Sequence, residues 1–136
     1  MFREFKKRKK EKRKREKWGI KEETLKLLLR LGIEKYPGEF GAILKGKNKL
    51  IDEVVLLPGM IEGEAHVLYH LYMLPIDYSM VGTAHSHPSG NCNPSDADIE
   101  FFSNFGVVHI ITCYPYNKYS WSAYDFNGFA IGLEVV

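Results

Sequence analysis

Leu25, Leu28, Leu29 and Ile33, with Leu31 beside them, recur at helical spacing and predict a first helix over residues 21–35. It ends between Gly32 and Pro37, where the chain meets residues that break helices. Short apolar runs then take over. Residues 40–44 and 50–57 read as two strands joined by a polar turn over residues 45–49. Residues 58–64 form a loop, 67–74 read as a strand, and Pro75 begins a turn into a strand that runs through Met80 and Val81 towards His85. Pro88, Gly90 and Pro94 interrupt regular structure, and a second helix starts at Ser95 and ends near Gly106. Three more strand-like runs follow, over residues 107–114, 120–125 and 129–136. About seven strands among few helices predict an α/β fold, a mixed β-sheet flanked by helices.

Composition changes one part of this picture. At 136 residues with 45% hydrophobic content, the chain can bury a core as one domain. Residues 3–17 carry eleven Lys/Arg against Glu4, Glu11 and Glu16, a net of +8, which leaves −6 on the rest of a chain whose total is +2. The division is therefore a basic N-terminal extension, 1–17, and a mildly acidic globule, 18–136. The extension has no apolar stripe to bury and reads first as a solvated arm. Binding of nucleic acid through clustered phosphate contacts, or docking on an acidic protein, ranks below that. Lys26 and Arg30 interrupt the leucine-rich stretch, so it is not a signal peptide. No apolar run approaches the roughly twenty residues that span a bilayer. A soluble, cytoplasmic protein with no membrane partner is expected.

The chemistry concentrates in residues 85–98. Strand side chains at i and i+2 share a face, so His85 and His87 project together while Ser86 points away. Neutral imidazole is the commonest protein metal ligand, and Asp98, in the first turn of the second helix, can lean back to complete a three-point zinc site. Three protein ligands leave the fourth tetrahedral position for water, the mark of a catalytic zinc. A plainer reading competes: Ser95-x-x-Asp98 before an apolar run also nearly matches a capping box, with no metal involved.

Taken together, His85-Ser86-His87, seven residues, Ser95, two residues and Asp98 resemble the signature of the JAMM/MPN+ metalloproteases. Pro37-Gly38-Glu39-Phe40-Gly41-Ala42-Ile43-Leu44 resembles that family's upstream segment, and the likeness covers roughly residues 20 to 136. It implies the MPN (JAB1/MPN/Mov34) fold, related to cytidine-deaminase-like sheets. It implies metal ligands His85, His87 and Asp98, Zn2+ as cofactor, Glu39 as general acid and base, and Ser95 as donor to the oxyanion. No ligand position is substituted, so an active member is expected. The family's substrates imply hydrolysis of the amide or isopeptide bond after the C-terminal Gly-Gly of a ubiquitin-like modifier, whose tail would dock as an added strand. The partners expected are therefore ubiquitin-like modifiers and their conjugates, with a homodimer left open.

Two rivals stand beside this. One is removal of cysteine or another residue from the C-terminus of a sulfur-carrier protein by the same metal site. The other is a non-catalytic zinc-bearing module, against which Glu39 argues, because a structural site needs no unligated carboxylate. A zinc nucleobase deaminase is excluded by the absence of His-x-Glu and Pro-Cys-x-x-Cys. His66 and His70, four apart in a strand-like run, are weak candidates for a second metal site, and His109 reads as a hydrogen-bonded core residue. Two cysteines are too few for a disulfide scaffold and suit a reducing cytosol. Cys113 reads as a small buried hydrophobe, whereas Cys92, between the ligands, is open to a redox role.

Overall fold

The computed structural model describes residues 17–56 and 79–136. The basic extension up to residue 16 lies outside the described residues. So do the expected loop over 58–64, the strand over 67–74 and the His66/His70 pair.

The first helix, α1, spans Glu22–Lys35. Leu25, Leu28 and Leu29 are buried as the periodicity predicts, but the stripe continues through Gly32, and Ile33 is 58% exposed. The reason is steric: a Cβ at Gly32 would overlap the ring of Tyr116, so glycine lets that ring lie directly on the helix. Full burial of one such leucine stabilises by about 1.5–3 kcal/mol.

Before α1, β1 (Gly19–Ile20) was not foreseen, since two residues carry no periodicity. After it, β2 (Gly41–Lys47) and β3 (Leu50–Leu56) pair antiparallel. The expected five-residue turn shrinks to Asn48 and Lys49, both at positive φ, as in the two-residue turns that match strand twist. β4 (Met80–His87) pairs antiparallel with β2 and parallel with β5 (Val108–Cys113). Between them α2 (Asp96–Phe102) is shorter than expected. Ser103 Oγ and Asn104 Nδ2 both donate to the Glu100 carbonyl, and Gly106 turns the chain at φ 93° into β5. β6 (Trp121–Tyr124) follows, antiparallel to β5.

The run over 129–136 is not one strand but two, β7 (Ala130–Ile131) and β8 (Glu134–Val135), parted by Gly132 and Leu133. Among the described residues they occupy opposite edges of one eight-stranded mixed sheet, in the order β7-β6-β5-β4-β2-β3-β1-β8. Three Cα steps separate Ile131 from Glu134, a reach of about 11 Å. The two edges must therefore approach each other, and the sheet curls until it nearly closes.

Alternation sends the strands' side chains to two clusters. Ala42, Leu44, Ala84, Val108 and Ile110 join Leu25, Leu28 and Leu29 of α1, with Phe40 and partly buried Trp18. Ile43 and Ile111 join Phe101 and Phe102 of α2, with Tyr124. The histidines of β4 lie on this second face: the His85 ring is 6.2 Å from that of Phe102. Among the described residues, no helix is long and apolar enough to cross a membrane.

Candidate metal centre

β4 carries His85 and His87 on one side and Ser86 on the other, as period-two geometry requires. Ser86 is fully buried, and its Oγ accepts from the Phe40 N–H at 2.9 Å while its own N–H donates to the Phe40 carbonyl at 3.1 Å. That pairing continues the Ala42↔Ala84 and Gly41↔His85 register past the end of β2. One residue further on, the same register brings exposed Glu39 across from His87. Its charge adds a small part to the raising of the His87 pKa.

From the other direction, α2 delivers Asp98. Its carboxylate Oδ1 lies 3.3 Å from His85 Nε2 and its Oδ2 lies 3.3 Å from His87 Nε2. The two Nε2 atoms are 3.2 Å apart. The capping box is present as well: Ser95 Oγ accepts from the Asp98 N–H at 3.0 Å, and Asp98 Oδ2 accepts from the Ser95 N–H at 2.9 Å. The two readings of Ser95 and Asp98 are thus not alternatives. The cap is what aims the carboxylate, and Asp98 is buried there.

The donor set fits zinc. Among the described residues, His85, His87 and Asp98 form the group whose donor atoms converge, all within 4.8 Å of one another. A tetrahedral zinc with bonds of about 2.0–2.1 Å holds its ligand atoms about 3.3 Å apart; the two Nε2 atoms stand near that spacing, and each faces a different oxygen of the Asp98 carboxylate. Imidazole nitrogens and carboxylate oxygens this close crowd their lone pairs unless a proton or a cation lies between them. The three residues are compatible with a zinc-binding site.

Supporting contacts orient the rings. His87 Nδ1 lies 2.9 Å from the Asn91 carbonyl, which can only accept, so Nδ1 carries the hydrogen and Nε2 is left to face the centre. The hydrogen bond that His87 donates to the Asp98 carboxylate raises the His87 pKa most, against burial, and the Asn91 carbonyl and the charges of Asp98 and Glu39 add to it. Tyr116 OH donates to the His87 carbonyl at 3.0 Å, and burial pushes that phenol's pKa up, with Tyr36 and Glu39 adding. His109 is the core residue the sequence suggested. It is fully buried, and its ring stacks on Phe102 at 4.3 Å. Its Nδ1 meets Thr83 Oγ1 at 2.7 Å and its Nε2 meets the Gly106 carbonyl at 3.2 Å, which suits a neutral ring.

The cysteines differ from expectation. Cys92 and Cys113 form a disulfide, so Cys113 is not a free hydrophobe and the pair gives no argument for a reducing compartment. A count of two argues against a scaffold of several bridges, not against a single one. Sequence reasoning also missed Asn91 and Tyr116. The first acts through its backbone and leaves no trace in residue type. The second becomes legible only when Gly32 is seen opposite its ring.

Comparison with known proteins agrees with this geometry. Residues 21–126 match the family of prokaryotic homologs of the JAB domain. A probable metalloprotease of Haloferax volcanii is 32% identical over 134 residues, covering 91% of this chain and 83% of the relative. The crystal structure of a JAB1/MPN domain protein from Archaeoglobus fulgidus superposes with a TM-score of 0.72 at 39% identity, covering 87% of this chain and 98% of that one. A structure described as a JAMM metalloprotease-like zinc site in the proteasome and signalosome gives a TM-score of 0.72 at 36% identity, over 88% and 98% of the two chains.

Proposed function

The chain belongs to the JAMM/MPN+ metalloprotease family, and from that premise we propose that it is a zinc-dependent isopeptidase cutting after the C-terminal Gly-Gly of a ubiquitin-like modifier. Residues 18–136 are its catalytic domain and 1–17 a basic extension. The observation that carries the reading is the convergence of the His85, His87 and Asp98 donor atoms, and the exposed Glu39 just before β2 supports it.

His85, His87 and Asp98 would hold the zinc. When bound, it supplies Lewis acidity to a water and to the scissile carbonyl. Glu39, exposed and not among the ligands, takes the water's proton and passes it to the leaving amine. Ser95 Oγ, which already accepts from the Asp98 N–H, turns its own O–H towards the developing oxyanion. Such a contact contributes roughly 3 kcal/mol to transition-state stabilisation. β4 is flanked by β2 and β5, and both outer strands are two residues long.

The test is cleavage of a ubiquitin-like protein joined through Gly-Gly to a lysine side chain, by the zinc-loaded protein and by Glu39→Gln at equal zinc content. Turnover by the first and at least a hundredfold less by the second is expected. No turnover of several modifiers by the fully loaded protein overturns the isopeptidase reading and turns the search to cysteine-capped sulfur carriers.

A further inference from the structure

Residues 88–94 carry an essential contact on an otherwise poorly anchored loop. Pro88, Ser89, Gly90, Asn91 and Asn93 are exposed, so little burial holds the loop in shape. Its ties to the body are few: Tyr114 N–H donates to the Ser89 carbonyl at 2.9 Å, Tyr124 OH donates to the Cys92 carbonyl at 2.7 Å, and Cys92 is bonded to Cys113. Cys113 ends β5, and in the parallel register its Cα partner is His87 itself. The disulfide thus closes a short ring from His87 through the loop to Cys92, across to Cys113, and back to His87 through the sheet. The carbonyl that fixes the His87 ring belongs to the peptide unit joining Asn91 to Cys92. Anchoring Cys92 through both its side chain and its carbonyl therefore sets the direction in which the Asn91 oxygen points.

We infer that the Cys92–Cys113 disulfide is a positioning device for His87: it holds the Asn91 carbonyl against Nδ1, keeps Nε2 bare for zinc, and loosens zinc when a dithiol reduces it. In that reduction the S–S bond breaks and the sulfurs of Cys92 and Cys113 take up two electrons and two protons. The dithiol becomes the disulfide, by thiolate exchange through a mixed disulfide. Cys92 is partly exposed, so its sulfur offers a point of attack. The inference rests on zinc being held by these residues, and not on which bond the protein cuts.

The experiment compares the oxidised protein, the protein reduced with a dithiol and desalted without oxygen, and the Cys92→Ser/Cys113→Ala double variant. Zinc affinity is read by competition with a chromophoric chelator, and the His87 tautomer by long-range 1H–15N spectra of the metal-free protein at a pH high enough to keep the imidazole neutral. Circular dichroism checks that each form is folded at the working temperature. Loss of an outer partner of a metal ligand costs 10–100-fold in affinity. The expected result is a Kd about tenfold weaker in both altered forms, with His87 shifting from one Nδ1–H tautomer to a mixture while the fold persists. An unchanged Kd and a single tautomer in folded, reduced protein overturn the inference. So does tighter binding after reduction, which would make the thiolates ligands. If the double variant does not fold, the reduced wild-type protein decides alone. Neither readout needs turnover, so a failed isopeptidase assay leaves the result intact.

Discussion

The two faces of the curled sheet are built on different principles. Towards α1 the side chains are mainly apolar, from Leu25 and Leu28 to Phe40, Ala42, Leu44, Ala84 and Ile110, and packing is most of their contribution, with Ser86 a buried hydroxyl tied to the Phe40 backbone. Towards α2 the same strands turn Thr83, His85, His87 and His109 inward, beside Phe102 and Asp98. Polar groups buried on that face stand only because each finds a partner. A dry face supplies stability that a wet face can spend on chemistry, with β4 serving both through alternate residues.

The comparison can be broken from either side, and the largest effect comes from the second. His87→Ala removes a zinc donor and leaves Asp98 Oδ2 without its facing imidazole. Zinc stoichiometry by elemental analysis should fall to near zero and turnover with it, while the far-ultraviolet dichroism of α1 persists. On the first face, Leu28→Ala should lower unfolding free energy by about 2–5 kcal/mol in urea titrations. Zinc per folded molecule should not change, and a loss of zinc there would show that the faces are not separable.

His109 sharpens the contrast by pH. Burial lowers its pKa from 6.5 to about 4, so between those values the unfolded chain binds the proton and the folded one does not. Its contribution is full above pH 6.5 and is lost as pH falls towards 4, by roughly 3 kcal/mol. His109→Phe keeps a ring against Phe102 but cannot titrate. Urea midpoints at pH 7 and pH 4.5 should fall further in the wild type than in the variant. The smallest effect is outside both faces: Lys26→Ala breaks an exposed pair with Glu22 at 3.4 Å and should cost under about 0.5 kcal/mol in the same titration.

The two faces were also unequally legible. The dry one followed from the spacing of Leu25, Leu28 and Leu29, except at Gly32, where an absent side chain is the packing feature and no apolar count can register it. The metal donors were legible because a strand's period of two and a helix's first turn are local geometry. The disulfide was not, because two cysteines 21 residues apart say nothing until β5 is known to lie beside β4. Nor was the place of β8: residues 129–136 read as one strand, and nothing in them tells that Glu134 and Val135 part from β7 to pair with β1.

That last pairing has a consequence for how the molecule assembles. Lys21, at the start of α1, makes no side-chain cap, and the Glu22 N–H is satisfied instead by the carbonyl of Val136 at 3.0 Å. The helix nearest the beginning of the fold is thus finished by a residue more than a hundred positions later. Contacts of such sequence separation close late and slowly. Residues 134–136 therefore latch β1 and the start of α1: removing them touches no residue of the metal centre and would still leave that helix open at one end.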